Sequence, residues 1–280
     1  MGKQKATVGF QGEHGAYSEE AIFKRFGLGV EAVPCKTIRE VFSLTEKGLV
    51  GMGVVPIENS VEGSVNETYD SLLTTKASVV GEEVLKVVHC LIGLPTAKLS
   101  GIRSIYSHPQ ALAQCRKFIA TLGADPMVTY DTAGSVKMIK ERRLTDAAAI
   151  AGERAAQIYG LKILKKGVED YPRNFTRFFV ISMDGAERSR KSKTSIMFAL
   201  PHTAGSLYRA LEAFATEDIN LTKIESRPTK EKPWEYYFFV DFEGHMSDRR
   251  PATVLAKLAT RTTFLKVLGS YPRSRDELSA

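Results

Sequence analysis

The sequence is poor in the features that mark secreted, disulfide-bonded or membrane proteins. It has only three cysteines, Cys35, Cys90 and Cys115, which are odd in number and lie far apart. This excludes a disulfide framework and the paired spacing of CxxC metal sites, and it favours a reducing cytoplasm. No run approaches the roughly twenty apolar residues of a membrane span, and the polar stretch Met1 to Ala6 contains no signal segment. We therefore expect a cytoplasmic protein that does not enter a membrane.

The sequence also lacks a large concentration of charge. Its formal net charge of +7 favours an anionic small molecule or, less specifically, nucleic acid as the binding partner. Only the stretch Arg188 to Lys193 is a basic cluster, and no aromatic residues that could stack on bases are interleaved with it. We interpret this stretch as a solvated linker, and we expect no nucleic-acid partner.

The composition is that of a folded protein with more than one domain. With 43% hydrophobic and 25% charged residues, the chain is close to the average for soluble globular proteins and unlike disordered ones. A length of 280 residues exceeds that of a typical single core, which suggests two or three folding units.

The first part of the chain has the pattern of an α/β fold. From Ala6 to Ile163, short apolar runs alternate with amphipathic stretches, as in sheets with crossover helices. Thr37 and Glu40 form a capping box that predicts a helix start, and a second helix is predicted over Gln110–Leu122. The clearest strand candidates are Ala6–Phe10, Met52–Ile57, Val84–Leu91, Ser104–Tyr106 and Ala147–Ala151.

The tail has a different order of elements. We place the domain boundary in the polar stretch Asp184 to Lys193, which gives a domain over 1–185, a linker over 186–193 and a second domain over 194–280. The tail pattern predicts the order βαββαβ, a ferredoxin-like sheet covered by two helices on one face. The elements are Thr194–Leu200, Gly205–Thr216, Asn220–Ser226, Glu235–Phe242, Pro251–Arg261 and Leu265–Tyr271. Such a sheet leaves an edge for pairing, so dimers are expected.

Polar segments follow several predicted strands, where open α/β sheets usually bind ligands. Each segment also has a purely structural interpretation: Ser18 or Thr132 could cap a helix, Ser107 or His108 could start one, and Glu58 could stabilise a turn. The segments are Gly12 to Ser18, Pro56 to Ser60, Ser107 to Gln110, and Asp131 to Ser135. Helix starts of this kind can hold carboxylates without a metal.

A fifth segment, Asn174 to Phe179, places a threonine and an arginine inside an aromatic run. Strand alternation puts Thr176 on one face and Phe175 and Arg177 on the other. A buried arginine is costly unless it is paired, and a substrate carboxylate is one way to pair Arg177.

Together, in this order and spacing, these segments resemble the prephenate dehydratase family over nearly the whole chain. The matching stretches are GFQGEHGAYSEEA, VVPIENSVEGS, SHPQALAQC, YDTAGSVKM, NFTRFFVIS and, in the tail, NLTKIESRP. The resemblance implies an enzyme without metal or cofactor. Its catalytic part is expected to be a two-lobed α/β domain, periplasmic-binding-protein-like (type II), followed by a ferredoxin-like ACT domain.

The resemblance also implies the chemistry and its residues. Prephenate loses its ring carboxylate as carbon dioxide and its ring hydroxyl as water, and aromatization supplies the driving force. Thr176 is expected to donate a hydrogen bond or proton to the departing hydroxyl, and Glu58 and Asn59 are expected to act beside it. The expected substrate-binding residues, which would anchor or orient the dicarboxylate, are Ser107, Gln110, Thr132, Arg177 and Phe178.

The tail is similar to an ACT domain, a module that binds amino acids at a subunit interface. The resemblance implies that phenylalanine binds there, between two copies, and regulates the enzyme by feedback. The family's ESRP motif is intact, but the proline that usually precedes the glycine of the other half-site is replaced by Ala204. The implied regulatory residues are Gly205, Ser206, Leu207, Asn220, Leu221, Glu225, Ser226, Arg227 and Pro228.

Two alternatives stay open at the level of sequence. Arogenate carries an amine in place of the side-chain keto group of prephenate, and the motifs do not separate the two substrates. A non-enzymatic amino-acid sensor would bind in both domains without reacting. Because no helical segment precedes Ala6, a fused chorismate mutase is not expected. We expect a homodimer or a dimer of dimers formed through the tail.

Overall fold

A computed structural model describes residues 5–230 and 233–274. The chain divides into two compact units. One holds the described residues up to 75 together with Glu83–Phe179, and the other holds Lys76–Glu82 together with the described residues from Val180 onward. Within the described ranges, no helix is both long enough and apolar enough to cross a membrane.

The chain begins with the elements of a first α/β lobe. They are β1 (Thr7–Gln11), α1 (Tyr17–Phe26), β2 (Glu31–Cys35), α2 (Ile38–Glu46), β3 (Met52–Asn59), β4 (Gly63–Ser64), α3 (Asn66–Thr74) and β5 (Ser78–Lys86).

A second lobe follows, and then a strand returns to the first sheet. The elements are β6 (Cys90–Gly93), β7 (Ser104–Ser107), α4 (Pro109–Gln114), α5 (Arg116–Leu122), β8 (Asp125–Val128), α6 (Thr132–Arg142), β9 (Ala147–Ala151), α7 (Glu153–Tyr159), β10 (Lys162–Lys166) and the returning β11 (Phe175–Ser182).

Each lobe is built on a mixed sheet. The first sheet has the order β2-β1-β3-β11-β5, with β4 attached to β3, and β1 runs parallel to both its neighbours. The second has the order β10-β6-β9-β7-β8, with β7 parallel to β8 and β9. The carboxyl ends of β1 and β7 lead directly into the regions where α1 and α4 begin, which places helix starts at one edge of each sheet.

The capping box that the sequence predicts is present at the start of α2. The backbone N–H of Glu40 donates to Thr37 Oγ1 at 3.1 Å, and the Glu40 carboxylate accepts from the backbone N–H of Lys36 at 2.7 Å. These two bonds satisfy amides that the first helical turn leaves open. The buried face of the helix includes Val41 and Phe42, as its periodicity predicts.

One predicted strand is wrong. The apolar run Val84–Leu91 is the end of β5 followed by the start of β6, because the chain crosses from one lobe to the other at 87–89. There the backbone N–H of Val87 donates to the carbonyl of Asn174, which lies just before β11 in the segment that returns the chain to the first lobe. An apolar run cannot distinguish one long strand from two short ones in different sheets.

The helix predicted over Gln110–Leu122 is also divided. α4 ends and α5 begins around Cys115, whose φ of −121° and ψ of 21° lie outside the helical region. The predicted apolar face is nevertheless correct, because Leu112, Cys115 and Ile119 belong to the buried core of the second lobe, with Leu122 packed against it.

The tail has the predicted βαββαβ order. Its elements are β12 (Ser192–Ala199), α8 (Ser206–Thr216), β13 (Leu221–Pro228), β14 (Tyr236–Glu243), α9 (Arg249–Arg261) and β15 (Phe264–Pro272). The strands form an antiparallel sheet in the order β13-β14-β12-β15. Its core joins apolar side chains of the sheet and of both helices, including Phe198, Phe214, Val240, Val254 and Leu258. The predicted two-lobed α/β domain and ferredoxin-like tail are therefore confirmed.

Candidate active site

A cavity of about 160 Å³ lies where the ends of the two lobes meet. This volume is close to that of an engineered cavity that accepts benzene, so a six-membered ring fits. Residues from the starts of three helices and from three strands of the first sheet line it: Gln11, Ala16, Tyr17, Ser18, Pro56, His108, Gln110, Tyr130, Asp131, Thr132, Thr176 and Phe178. None of these described lining residues is a lysine or an arginine.

Thr176 faces this cavity from β11. Its Oγ1 accepts a hydrogen bond from Asn59 Nδ2 at 3.0 Å, and no other described protein group bonds to it. The Asn59 Oδ1 in turn accepts from the backbone N–H groups of Val61 and Glu62, both at 3.0 Å. These amides fix the orientation of the Asn59 side chain, so Thr176 is an acceptor towards the protein and its own proton remains available to a molecule in the cavity.

A buried network extends from Asn59 to the far side of the cavity. Asn59 Nδ2 donates to Asn174 Oδ1 at 2.7 Å, and Asn174 Nδ2 donates to Gln114 Oε1 at 2.8 Å. His89 Nε2 lies 2.9 Å from the same Gln114 oxygen, and His89 Nδ1 lies 2.9 Å from the hydroxyl of Tyr17. Burial raises the pKa of Tyr17 and lowers that of His89, which keeps both side chains neutral.

Glu58 and Arg177 pair with each other. Arg177 Nε lies 2.7 Å from Glu58 Oε1, and its guanidinium group is 5.2 Å from the ring centroid of Phe179. Because Arg177 and Phe179 alternate along β11 with Thr176 and Phe178, they lie on the face of the strand that does not line the cavity. In this structure the carboxylate of Glu58 therefore compensates the charge of Arg177. That a substrate carboxylate also pairs with Arg177 stays a prediction.

Ser107 also differs from its expected place. Its side chain is fully buried, and its hydroxyl donates to the carbonyl oxygen of Ile150 at 2.6 Å. This bond joins β7 to β9, and Ser107 does not line the cavity. Gln110, Thr132 and Phe178, by contrast, line the cavity, and their expected contacts with the substrate stay a prediction.

Two of the helix starts have side-chain caps, one from a residue that the sequence did not indicate and one from His108, which it did. Asp131, not Thr132, caps α6, because its carboxylate accepts from the backbone N–H groups of Ala133 and Gly134. Burial raises the pKa of Asp131 although these amides and that of Glu13 donate to it. His108 caps α4 through Nδ1, which accepts from the N–H of Gln110 at 3.3 Å, and burial lowers the pKa of His108.

The start of α1 has no side-chain cap. Ala16 is the N-cap, so Ser18 lies inside the first turn rather than before it. Ala16, Tyr17 and Ser18 all line the cavity. The amides of this first turn, together with the positive end of the helix, are therefore directed at the space that a carboxylate would occupy.

The loop before α1 and the first turn of α1 pair with the second lobe beside the cavity. Glu13 Oε2 lies 3.0 Å from Lys137 Nζ of the second lobe, and Glu19 Oε2 lies 3.0 Å from Arg154 Nε. Burial opposes ionisation of Glu19, but hydrogen bonds from His14, Gly15 and Arg154 outweigh it and lower the pKa of Glu19. Gly15 has a φ of +92°, and a Cβ there would lie 2.7 Å from Ala155 Cα. This position therefore requires glycine.

The tail has a separate cavity, also of about 160 Å³. Ser206 and Leu207 line it together with Thr203, Trp234 and Tyr236. Gly205 is the N-cap of α8, so it lies at the predicted helix start, and its φ of +78° is in the left-handed region that glycine adopts readily. The other expected regulatory residues, Asn220, Leu221, Glu225, Ser226, Arg227 and Pro228, precede or belong to the edge strand β13 and do not line this cavity.

Tyr17, His89, Gln114, Asn174 and Asp131 were not selected from the sequence as site residues. Four of them stand in the matching stretches, so their presence there was a signal, and His89 stands outside all six. Nothing in the spacing of these residues indicates that they meet, because the contacts join segments of both lobes.

Comparison with known proteins gives consistent matches over both parts of the chain. A family model described as prephenate dehydratase matches residues 8–186, and an ACT domain model matches residues 194–260. The Arabidopsis thaliana protein named arogenate dehydratase/prephenate dehydratase 2, chloroplastic, is 43% identical, over 96% of this chain and 73% of the relative.

Two solved structures are similar over nearly their full length. A prephenate dehydratase from Arthrobacter aurescens in complex with L-Phe is 33% identical with a TM-score of 0.88, covering 96% of this chain and 90% of that one. A protein described as a novel type of quorum quenching acylase, GqqA, is 34% identical with a TM-score of 0.87, covering 96% and 98%.

Proposed function

Because the chain belongs to the prephenate dehydratase family, we propose that its cavity converts prephenate to phenylpyruvate, carbon dioxide and water. The observation that carries this proposal is the arrangement of Thr176. Its Oγ1 accepts from Asn59 and faces a ring-sized cavity with its proton free. A hydrogen-bond donor in that position suits the departure of a ring hydroxyl.

The reaction requires two bonds to break. The bond between the ring and its carboxylate releases carbon dioxide and leaves its electron pair in the ring, which becomes aromatic. The ring hydroxyl departs with the electron pair of its carbon–oxygen bond and takes a proton from solvent to form water. Thr176 donates a hydrogen bond to the departing oxygen as negative charge develops on it. Threonine is a weak acid, so its contribution is positioning and charge stabilisation.

Backbone dipoles and uncharged side chains would hold the substrate's carboxylates in a cavity that the Asp131 carboxylate also lines. The uncapped start of α1 offers amides to one carboxylate, and Gln110 and Thr132 orient the remaining oxygens. Phe178 supplies an apolar contact for the ring. Glu58 and Arg177 act from behind the cavity, where their ion pair supports the strand that carries Thr176.

Arogenate is a second candidate substrate. The name of the Arabidopsis relative includes both arogenate dehydratase and prephenate dehydratase. One observation on this chain also favours an ammonium group in the cavity. The carboxylate of Asp131 lines it, and no described lysine or arginine does. An ammonium group near Asp131 would gain a charge partner that the keto group of prephenate cannot use.

Turnover of both substrates by the purified chain tests these proposals. We expect phenylpyruvate to form from prephenate, followed by its absorbance, and we expect phenylalanine to form from arogenate at a rate that decides which substrate is preferred. If neither substrate reacts and phenylalanine still binds to the tail, the protein is a non-enzymatic sensor.

At Thr176 the geometry does not favour the acyl-transfer chemistry that the description of GqqA names. An acylase needs a nucleophile activated by an adjacent base. Thr176 lies against the amide of Asn59, which donates to it and accepts no proton. Hydroxyl donation, rather than nucleophilic attack, is what this arrangement supports.

We also propose that phenylalanine binds to the tail and inhibits the enzyme by feedback. The carboxylate of the amino acid would meet the amides at the Gly205 start of α8, with Ser206 and Leu207 beside it. Asn220, Leu221 and the residues Glu225 to Pro228 would complete the site from a second copy of the chain, so a dimer, or a pair of dimers, is part of the proposal. The buried free thiols suit a cytoplasmic location.

Equilibrium binding tests the regulatory proposal. Labelled phenylalanine is titrated with and without a non-reacting prephenate analogue. Because coupling between two binding sites is reciprocal, an analogue that phenylalanine displaces must weaken phenylalanine binding by the same factor. An affinity that does not change would contradict the coupling.

A further inference from the structure

The network between Tyr17 and Thr176 connects two sides of the cavity through the interior of the protein. Four of its side chains, His89, Gln114, Asn174 and Asn59, are almost completely buried. In such surroundings each donor must meet an acceptor, so one fixed group determines the direction of the next hydrogen bond.

The direction is fixed first at Asn59. Two backbone amides donate to its Oδ1, so that atom is the oxygen and Nδ2 is the donor. Asn174 Oδ1 accepts from this nitrogen, which leaves Asn174 Nδ2 as a donor to Gln114 Oε1. The Gln114 oxygen is therefore an acceptor in both of its contacts.

The same logic assigns the tautomer of His89. Its Nε2 lies 2.9 Å from the Gln114 oxygen, and two acceptors cannot bond, so Nε2 carries the proton. In a neutral ring Nδ1 is then bare and is an acceptor, 2.9 Å from the hydroxyl of Tyr17. The single proton of this hydroxyl has a second acceptor in the carbonyl of Val88 at 3.0 Å. The backbone N–H of His89 donates to Glu169 at 2.9 Å, which holds the residue in place.

We propose that His89 is a positioning residue for the dehydration step: its Nε2–H holds the Gln114 amide, and through Asn174 and Asn59 it keeps the Thr176 hydroxyl directed at the departing oxygen. His89 itself touches no substrate. The proposal rests on the dehydratase function proposed above, and it adds a buried imidazole to the groups on which the rate depends.

Two substitutions of His89 separate this role from a general structural one. In His89→Gln, the side-chain amide can place an N–H near the position of Nε2, whereas the shorter His89→Asn places its amide near Nδ1 and loses the bond to Gln114. We expect His89→Asn to lower kcat for prephenate about tenfold or more with little change in KM, as one lost bond in a buried network does. We expect His89→Gln to recover most of the rate. A wild-type kcat in His89→Asn, or equal losses in both variants, would overturn the proposal.

A double substitution tests the route. If His89 acts through Gln114, then adding His89→Asn to Gln114→Ala changes kcat less than twofold beyond the loss that Gln114→Ala causes alone. Independent, multiplied losses would show that His89 does not act through this amide.

Nitrogen NMR of the full chain gives a readout that needs no activity. With histidine labelled at both ring nitrogens, and with His89→Gln used to assign the signal, the His89 ring is expected to show a protonated Nε2 and a bare Nδ1. A bare Nε2 or a charged ring would contradict the inference even if His89→Asn fails to fold. If prephenate is not a substrate, this measurement still decides the hydrogen-bond directions, so failure of the function and failure of the inference are distinguishable.

Discussion

Ser107 and Gln114 belong to one matching sequence segment but act in different places. Ser107 bonds to the carbonyl of Ile150 within the sheet, while Gln114 bonds to Asn174 in the network beside the cavity. A polar residue after a strand can point either way, and only the tertiary structure decides which. The contacts of Ser107 therefore favour a structural role, and its assignment to the substrate stays a prediction.

Replacing Ser107 by alanine tests this structural role. Loss of its bond leaves a buried carbonyl without that partner, so we expect Ser107→Ala to lower the free energy of unfolding by about 1 to 3 kcal/mol. KM for prephenate should stay near the wild-type value. Urea unfolding together with steady-state kinetics measures both, and a large rise in KM with unchanged stability would restore Ser107 to the substrate site.

The lowered pKa of His89 predicts how stability depends on pH. Burial disfavours the charged ring in the folded protein, so below the ordinary histidine pKa of about 6.5 the unfolded chain binds a proton that the folded chain does not. This contribution to stability is complete above pH ~6.5 and decreases as the pH falls towards the folded pKa.

The His89→Gln variant provides the control, because glutamine does not titrate. Thermal unfolding between pH 7.5 and 5, followed for both proteins, should show a smaller loss of stability on acidification in the variant. His108, whose pKa is also lowered, contributes to the remaining slope in both proteins. Identical pH dependence in the two proteins would contradict the buried, neutral state of His89.

At the scale of elements, the predictions were correct where a local sequence pattern determines the structure. The strand Ala147–Ala151 and the start of α2 were predicted correctly because a buried run and a capping box are local signals. The break between α4 and α5 at Cys115 and the crossing between the lobes at 87–89 were not predicted, because the apolar pattern of the sequence continues through both. The six matching segments include Thr176 and Asn59, which bond to each other beside the cavity, whereas the link through His89 depends on contacts between distant segments.

One element depends on the absence of a side chain. Gly269 lies in β15, beside the irregularity in its pairing with β12. A Cβ at Gly269 would lie 2.0 Å from the carbonyl oxygen of Val79, well inside van der Waals contact. The backbone at Val79 cannot move away from an added Cβ without disturbing its packing against β15.

We expect Gly269→Ala to destabilise the tail by about 3 kcal/mol or more, because the added methyl group would overlap backbone atoms, which cannot shift as a flexible side chain can. Gly185→Ala is the matched control in the same unit, since no atom lies within 4 Å of its added Cβ. Denaturant unfolding of the two variants compares them. Equal stabilities would mean that β15 accommodates the methyl group.

At the scale of the whole molecule, an ion pair with fully buried side chains secures the second compact unit. Lys193 Nζ lies 3.2 Å from Glu82 Oε2, and the backbone N–H of Ser274 donates to Glu82 at 3.0 Å. The pair joins the segment Lys76–Glu82 to β12, two parts of the chain that are distant in sequence. Buried charges are costly without a partner, so each makes the other necessary.

Removing one partner should therefore cost more than removing both. We expect Lys193→Met to lower the free energy of unfolding by about 3 to 5 kcal/mol, and we expect the double variant with Glu82→Leu to recover much of it. Chemical unfolding of the single and double variants measures the difference. A double variant less stable than Lys193→Met would show that the pair itself, and not the uncompensated charge, provides the stability.

The most direct test of the central claim concerns the hydroxyl of Thr176. Single-turnover rates on prephenate are measured for the wild type, Thr176→Val and Thr176→Ser, after circular dichroism has shown that all three are folded. Valine keeps the shape and removes the donor, so we predict a chemical step slower by about 10²-fold or more. Serine keeps the donor and should retain a rate within about tenfold of the wild type. A Thr176→Val rate equal to that of the wild type would contradict the account.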